Sequence, residues 1–270
     1  MTPMTRTKGM EQIRTLIRNE KTAVLCGAGI SVASGIPAFR GTGGLWARYD
    51  PERFATEEGL TSLFRNDPRV LKEFLCEWYG VLLKAEPNAV HRILVRLEQE
   101  GWVSGVITQN IDDLHRRAGS IRVAQIHGSA MGMRCPHCGI RRRRTPQECR
   151  RLLNGLSSAS TRRRIRAWIL RLRGTCPECR GRLTPAVVLF GQQLPLEPLE
   201  SARRYIFEAG VLLCVGTSGS VYPAASLPGY ARQHAKKVFV VNPEPTALDF
   251  SADGVFRQLA ADFFEKLSLH

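Results

Sequence analysis

Residues 22–31 read Thr22-Ala-Val-Leu-Cys-Gly-Ala-Gly-Ile-Ser31, a short apolar run that ends directly in a glycine-containing turn. Five more apolar runs end in polar or glycine-rich turns, at residues 103–107, 123–126, 186–189, 211–215 and 238–241. These runs do not alternate between apolar and polar residues, which is typical of strands covered on both faces of a parallel sheet. Helical patterns lie between several of them, as at 88–100 and 199–209. We therefore predict an open α/β sheet whose ligands bind beyond the carboxyl ends of the strands.

The composition is that of a globular protein. Of the 270 residues, 43% are hydrophobic and 23% are charged, which argues against disorder. The first 20 residues lack an apolar core followed by a small-residue cleavage site, so no secretory signal is predicted. The longest uncharged stretch, 209–231, contains two Pro and several Gly and Ser, which favours a buried strand plus a loop over a membrane span. We expect a cytoplasmic protein that does not interact with membranes.

Two Cys-x-x-Cys pairs, Cys135-Pro-His-Cys138 and Cys176-Pro-Glu-Cys179, predict one zinc site. Each turn directs two sulfur atoms at one point, and two such turns complete a tetrahedron. A redox dithiol and a ligand role for His137 are the alternatives, but four Cys already fill the coordination shell. A closed shell leaves no open position for catalysis, so the predicted zinc is structural.

The 37 residues between the pairs predict two helices. Thr145, Pro146 and Glu148 form a helix-start pattern, and an apolar stripe recurs at Ile165, Trp168, Ile169 and Leu172. Residues 134–182 contain 15 Arg against two Glu, so this segment carries most of the net charge of +15. Arg clusters neutralise phosphates, which predicts docking on nucleic acid or acidic proteins. The alternative is a solvated face in an organism that prefers Arg, since the chain has 32 Arg and 7 Lys.

The turn Gly27-Ala-Gly29 alone is a weak dinucleotide pattern, because Val32 stands where a third Gly is usual, and no P-loop Lys supports an ATPase. The longer run Gly27-Ala-Gly-Ile-Ser-Val-Ala-Ser-Gly-Ile-Pro-Ala-Phe-Arg-Gly41 is more specific. Together with Thr108-Gln-Asn-Ile-Asp112, His127-Gly-Ser129, Gly216-Thr-Ser-Gly-Ser-Val-Tyr-Pro-Ala-Ala225, Asn242 and the paired Cys, it resembles the sirtuins, the NAD-dependent protein deacylases. The resemblance spans roughly residues 23–242.

The resemblance implies three segments of a Rossmann-like NAD-binding domain, at 1–41, 86–130 and 184–270. Two insertions would form a smaller lobe. Residues 42–85 would be a helical and cofactor-loop insertion, and 131–183 would be a four-cysteine zinc-binding lobe with an Arg-rich helical insertion.

The resemblance also implies the reaction: NAD is consumed, and nicotinamide, O-acyl-ADP-ribose and deacylated lysine are produced. His127 matches the catalytic base, a role that suits imidazole near neutral pH. Asn110 and Asp112 would position the nicotinamide ribose and the carboxamide, with Gln109 near the ribose. The alternatives are a strand-end His that contacts a backbone carbonyl and an Asn/Asp helix cap.

Further NAD contacts are implied by the matching motifs. Backbone N–H groups around Ala28 and Gly29, and those at Thr217 and Ser218, would bind the diphosphate, Phe39 would exclude water, Arg40 would add charge and Asn242 would meet the adenine ribose. The complete predicted cofactor set is Gly27, Ala28, Gly29, Ser31, Phe39, Arg40, Gln109, Asn110, Asp112, Gly216, Thr217, Ser218 and Asn242.

An acyl-lysine protein is the implied substrate, held as an added strand. The predicted peptide contacts are Val188, Phe190, Gly191, Gly219, Val221 and Tyr222. Leu75 and Trp78 align with a Tyr and an Arg that bind acyl carboxylates in relatives, so acetyl or apolar acyl groups are predicted over succinyl. Gln192 and Thr184 depart from the family's usual Glu and Arg, which predicts an unusual substrate preference or activity level.

Two other functions remain open. A mono-ADP-ribosyltransferase or NAD hydrolase would use the same site with a different acceptor, although His127 favours deacylation. A non-enzymatic zinc-ribbon module that binds nucleic acid would need none of the strand-end motifs.

Overall fold

The computed structural model describes residues 6–40 and 43–267. The expected boundary between residues 41 and 42 lies outside these described residues. The strands are β1 (Thr22–Cys26), β2 (Val103–Thr108), β3 (Val123–Gln125), β4 (Gly128–Arg134), β5 (Arg141–Arg143), β6 (Thr184–Val187), β7 (Val211–Val215), β8 (Lys237–Val241) and β9 (Gly254–Phe256). The helices are α1 (Arg6–Asn19), α2 (Leu45–Arg48), α3 (Pro51–Phe54), α4 (Glu57–Asn66), α5 (Pro68–Lys84), α6 (Ala89–Gln99), α7 (Leu114–Ala118), α8 (Pro146–Ser157), α9 (Arg162–Arg171), α10 (Leu196–Glu208), α11 (Leu227–Gln233) and α12 (Ala260–Leu267). Three 3-10 helices span Ala28–Ser34, Ala224–Ser226 and Asp249–Ser251.

The larger sheet has six strands in the order β3-β2-β1-β7-β8-β9, and every neighbouring pair is parallel. The predicted open α/β, Rossmann-like sheet is therefore confirmed. The strand order reverses between β1 and β7. In such sheets a crevice opens beyond the carboxyl ends of the two strands at this point, and ligands bind there.

Along each central strand, successive side chains alternate between two hydrophobic cores, one on each face of the large sheet. On β1, Val24 and Cys26 pack on one face with α1, α6 and α12, whereas Ala23 and Leu25 pack on the other with α10 and α11. All residues of β1 and β7 are buried. Because both faces are covered by helices, these strands carry continuous apolar runs, as the sequence predicts.

A second, antiparallel sheet has the order β5-β4-β6. The expectation that the run 186–189 belongs to the series of parallel strands is wrong, because β6 pairs with β4 instead. Only two residues separate β3 from β4, and a parallel connection needs a dozen or more, so the chain leaves the large sheet at this point. The strands of the second sheet thus come from residues 128–134, 141–143 and 184–187. The expected segment boundaries at 130 and 184 stay a prediction.

The helical insertion and the Arg-rich segment share a core. Phe54, Phe74 and Trp78 of α3 and α5 pack in one apolar cluster with Cys149 of α8. The predicted start of α8 is confirmed, since Thr145 and Glu148 form a reciprocal capping box. The predicted second helix is α9, in which Ile165 is buried and Trp168 packs against Gly155 of α8. Within the residues that the structure describes, no helix combines the length and apolarity needed to cross a membrane.

Candidate functional site

Two glycine turns meet at the point where the strand order reverses. The Gly29 N–H donates to the carbonyl of Gly216 at 2.9 Å, and the Gly27 N–H donates to that of Val215. A Cβ atom on Gly27 would lie 2.6 Å from the Gly216 oxygen, and one on Gly29 would lie 2.7 Å from the Gly216 Cα. Backbone contact this close requires glycine on both turns. The Gly29 N–H is therefore engaged within the protein, which differs from the expectation that it binds a diphosphate.

Three predicted polar residues form one buried network beside this contact. The Asn110 amide donates to the Gly27 carbonyl and to the Ser31 hydroxyl, both at 3.1 Å, and Ser31 donates to Asp112 at 2.7 Å. The Asn110 Oδ1 atom is buried and has no hydrogen-bond partner among the described residues. Because an unpaired buried acceptor is costly, this atom marks a place for a ligand's N–H donor.

Asp112 has two roles in the structure. Its second oxygen accepts the Leu114 N–H at 2.9 Å, so it caps the first turn of α7 as the alternative interpretation predicts. The residue also lines a small cavity, and burial raises the pKa of its carboxyl. We call this the inner cavity; its lining residues are Ala28, Ser31, Ile36, Phe39, Trp78, Asn110, Ile111 and Asp112.

His127 lies between β3 and β4, at the same edge of the sheet. Its Nδ1 atom is 3.0 Å from the carbonyl oxygen of Gln109, and burial lowers the pKa of the imidazole. A carbonyl only accepts, so the proton of the neutral ring lies on Nδ1 and the Nε2 lone pair is available as a base. The Gln109 amide in turn donates to the Thr217 hydroxyl at 2.8 Å. The ends of β2, β3 and β7 are thereby joined.

The remaining predicted cofactor residues extend from this edge. Asn242 follows β8 and donates to the Thr217 carbonyl at 3.1 Å. Arg40 donates to the Ser220 hydroxyl, and Ser220 is 2.7 Å from the Ser218 hydroxyl. The segment after the first turn therefore reaches the loop that follows β7.

Aromatic rings border the inner cavity. Phe39 lies 5.5 Å from Trp46 and 5.7 Å from Trp78 between ring centroids, and Trp46 lies 6.2 Å from Phe190. Trp46, Ile36 and Ile111 were not among the predicted site residues. The last two lie inside quoted motifs, so their position in the sequence could have indicated them.

The predicted peptide-contacting residues lie on two segments. On the first, the Val188 N–H donates to the His127 carbonyl, Gly191 is exposed and the Phe190 ring is 39% exposed. On the second, Gly219 and Val221 are half-buried and Tyr222 is 76% exposed.

Of the remaining predicted residues, one lines the inner cavity and the others lie elsewhere. Trp78 lines the inner cavity, but Leu75, one turn earlier on α5, is absent from its lining and packs against the cluster around Leu156 and Ile165. Gln192 donates to Glu57 at 3.2 Å and accepts the Leu189 N–H. Thr184 donates to the Arg134 carbonyl.

The four predicted cysteine ligands form a candidate metal centre. The sulfur atoms of Cys135, Cys138, Cys176 and Cys179 all lie within 4.8 Å of one another. The Cys135–Cys179 and Cys138–Cys176 sulfur pairs are 3.4 and 3.6 Å apart. Tetrahedral zinc with bonds of about 2.3 Å separates its sulfur ligands by about 3.8 Å, so the arrangement fits this ion.

Comparisons with known proteins identify the family. The model of the Sir2 family matches residues 27–223. NAD-dependent protein deacylases of Aeropyrum pernix and Aquifex aeolicus are 40% and 38% identical, over 96% and 93% of this chain and 95% of each relative. A Sir2 homologue–NAD complex superposes with a TM-score of 0.75 at 34% identity, covering 95% of this chain and 91% of the other. A Sir2–p53 peptide–NAD+ complex gives 0.74 at 29% identity, with 96% of both chains covered. The chain belongs to the Sir2 family.

Proposed function

We propose that this protein is an NAD-dependent protein-lysine deacylase that releases nicotinamide and O-acyl-ADP-ribose. The observation that carries the proposal is the meeting of Asn110, Asp112 and His127 beside the glycine turns at the strand reversal. Relatives that share about 40% of the sequence over nearly the whole chain are named for this activity. Similar structures include a complex with NAD and a complex with NAD+ and a p53 peptide.

Each of the residues at the strand ends has a separate proposed role. NAD, when bound, supplies an activated ribose from which nicotinamide can leave. The unpaired Oδ1 of Asn110 accepts from the nicotinamide carboxamide, and Asp112 holds Ser31 and the first turn of α7 in place. Phe39 and Trp78 exclude water from the inner cavity. His127 accepts a proton at Nε2 from a ribose hydroxyl, while its Nδ1–H remains bonded to Gln109.

The charge of the inner cavity supports a preference for acetyl or apolar acyl groups. Among the described residues of its lining, Asp112 is the one ionisable side chain. The resemblance to relatives aligns Trp78 with an arginine that binds a carboxylate. A succinyl group would therefore bring a second negative charge toward Asp112, with no cation in the described lining of the inner cavity to offset its desolvation. We expect turnover of a succinyl-lysine peptide to be at least about tenfold below that of the acetyl peptide. Equal turnover would contradict this preference.

A zinc ion on the four cysteines is the proposed metal, one per chain. Cys135 and Cys138 follow the end of β4, and Cys176 and Cys179 precede β6. The ion would therefore hold the ends of the second sheet together. Four sulfur ligands complete its shell, and the proposed role is structural.

The deciding experiment is mass spectrometry of an acetyl-lysine peptide incubated with the protein, with and without NAD. We expect NAD-dependent loss of acetyl and formation of O-acetyl-ADP-ribose, both abolished by His127→Ala. His234→Ala is the matched control, since this histidine is exposed and contacts Tyr230. Consumption of NAD without loss of acetyl, or ADP-ribose on protein, would instead establish the hydrolase or transferase alternative.

Docking of the Arg-rich segment on nucleic acid or acidic proteins stays a proposal, supported by its charge alone. Most of its arginines are exposed, including Arg162, Arg163 and Arg164 on α9. Affinity for duplex DNA should fall steeply between 50 and 200 mM salt, as phosphate contacts require. Weak binding that does not change with salt would refute it. The cytoplasmic location also stays a prediction.

A further inference from the structure

A second cavity, of about 540 Å³, shares only Asp112 with the inner cavity. It lies where the end of α5, α7, β5 and the start of α8 come together, and we call it the arginine cavity. Five arginines line it: Arg116, Arg117, Arg143, Arg144 and Arg150. The carboxylates in the lining are Glu86 and Asp112. Neither the zinc site nor the NAD residues described above account for this concentration of positive charge.

Two of the five guanidinium groups are paired with carboxylates. Arg117 lies 2.8 Å from Glu86, whose side chain is exposed, and Arg143 lies 2.9 Å from Asp113, whose side chain is fully buried. These ion pairs offset two of the positive charges and hold their arginines at the wall of the cavity.

Among the described residues, the side chains of the other three arginines donate hydrogen bonds to neutral oxygens. Arg116 donates to the Gln125 side chain and the Val123 carbonyl, Arg144 donates to the Leu172 carbonyl, and Arg150 donates weakly to the Leu83 carbonyl. No carboxylate of the described ranges 6–40 and 43–267 lies within ion-pair distance of these three groups. Three arginines that form no ion pair with a described residue therefore line one concave surface, and Glu148 offsets part of the charge of Arg144 at longer range.

One of these three charges is partly buried. Arg144 is half-buried, whereas Arg116 and Arg150 are exposed, and desolvation lowers the pKa of the Arg144 guanidinium. A charge that has lost hydration is stabilised by a bound anion more than an exposed one is. Guanidinium groups also present paired donors that match the oxygen atoms of phosphate groups.

We propose that the arginine cavity binds a small polyanion that carries a diphosphate or triphosphate group. Its volume is that of a site for a ligand of nucleotide size. Leu82, Leu83 and Met131 form an apolar part of the lining that suits an uncharged portion of such a ligand. A nucleotide and free polyphosphate share the required chemistry.

The site is positioned to affect the strand-end residues. Asp113, the partner of Arg143, also accepts from Ser129 at 2.7 Å and from Gln125 at 2.7 Å, and it follows Asp112 in the chain. A bound polyanion competes with Asp113 for Arg143 and so alters the charge beside Asp112. The site is thus separate from the proposed deacylase chemistry but adjoins it.

Calorimetric titration of the full chain with tripolyphosphate tests the proposal, with saturating ADP-ribose present to occupy the NAD site. We expect one remaining site, weakened at least tenfold by Arg116→Ala and by Arg150→Ala, which lie on different elements. Arg163→Ala is the matched control, because it removes the same charge from an exposed position on α9 that does not line the cavity. A parallel titration with ADP distinguishes the sources: tighter binding of ADP identifies a nucleotide, and tighter binding of tripolyphosphate identifies free polyphosphate.

Absence of binding would overturn the proposal. Equal weakening by Arg163→Ala would also overturn it, since that result indicates diffuse attraction to the basic lobe. Circular dichroism verifies that each variant is folded. Titrations without ADP-ribose, compared across the same variants, keep the test independent of whether the proposed NAD chemistry is correct.

Discussion

The Nδ1 atom of His127 lies 3.0 Å from the carbonyl oxygen of Gln109, so the backbone at the end of β2 determines which ring nitrogen carries the proton. Burial lowers the pKa of the same imidazole. The free base is therefore the dominant form of His127 at neutral pH, with Nε2 as the proton acceptor.

This geometry predicts the pH dependence of deacylation. Because burial lowers the pKa of His127, kcat/KM should change little between pH 8 and pH 7 and fall at lower pH, as the base becomes protonated. The measurement is kcat/KM for an acetyl-lysine peptide from pH 5 to 8. His127→Ala should reduce activity by roughly 10²–10⁴-fold. A rate that still rises from pH 7 to pH 8 would contradict the assignment.

Substitution of Gly216 tests the contact between the two turns. Gly216 has a φ of 60°, and a Cβ atom there would lie 2.8 Å from the Ile30 nitrogen. Gly216→Ala should therefore lower the free energy of unfolding by roughly 1–3 kcal/mol and weaken NAD binding. Gly229→Ala is the matched control, because its Cβ would meet nothing within 4 Å in helix α11 and should stabilise by up to about 1 kcal/mol. Urea unfolding and calorimetry measure both quantities; equal values for wild type and Gly216→Ala would refute the role of the contact.

Much of the large sheet could be predicted because its central strands are buried on both faces. The bounds of β1 and β7 are those of their apolar runs. Strand β9 is not predicted from the sequence, since Gly254–Phe256 has only three residues and so forms too short a run. The run at 186–189 was placed in the wrong sheet, because apolar composition indicates a strand without identifying its partner.

The candidate site also has parts that could be predicted from the sequence and parts that could not. Asn110, Asp112 and His127 follow strands of one sheet, so their proximity could be expected from their positions at the strand ends. The arginine cavity could not be predicted, since α5, α7, β5 and α8 supply its lining and only tertiary packing brings them together. The same is true of the contact between Leu75 and the cluster on α8 and α9.

Removal of a cysteine ligand tests the metal centre. Wild-type protein should contain one zinc per chain by elemental analysis, and Cys138→Ser should lose it. Because the proposed ion would join the two knuckles, we expect its loss to lower the free energy of unfolding by about 4 kcal/mol, or Tm by roughly 10 °C. Cys76→Ser is the control: this half-buried cysteine lies on α5, outside the four-sulfur cluster. Full retention of zinc and Tm by Cys138→Ser would contradict the assignment of this ligand.

A buried histidine pair predicts sensitivity to acid. The rings of His91 and His115 lie 4.7 Å apart, and both side chains are inaccessible to solvent. Burial lowers the pKa of His91 to about 4 and that of His115 to about 3. Neither nitrogen of His115 has a hydrogen-bond partner among the residues that the structure describes. The folded chain therefore holds both rings neutral at pH values where the unfolded chain binds protons.

Because the folded pKa values lie below the unfolded value of 6.5, the stability is complete above pH 6.5 and is lost as the pH falls toward 4 and 3. Between pH 7 and pH 5 the free energy of unfolding should decrease by about 2 kcal/mol for each imidazole. His115→Leu removes one titrating ring without breaking a described hydrogen bond. It should therefore reduce the summed decrease from the two rings by about half. His234→Gln, a substitution at an exposed histidine, should leave it unchanged. Urea unfolding of the three proteins at both pH values measures the difference. If His115→Leu loses as much stability as wild type over this interval, burial of neutral His115 is not a source of the acid sensitivity.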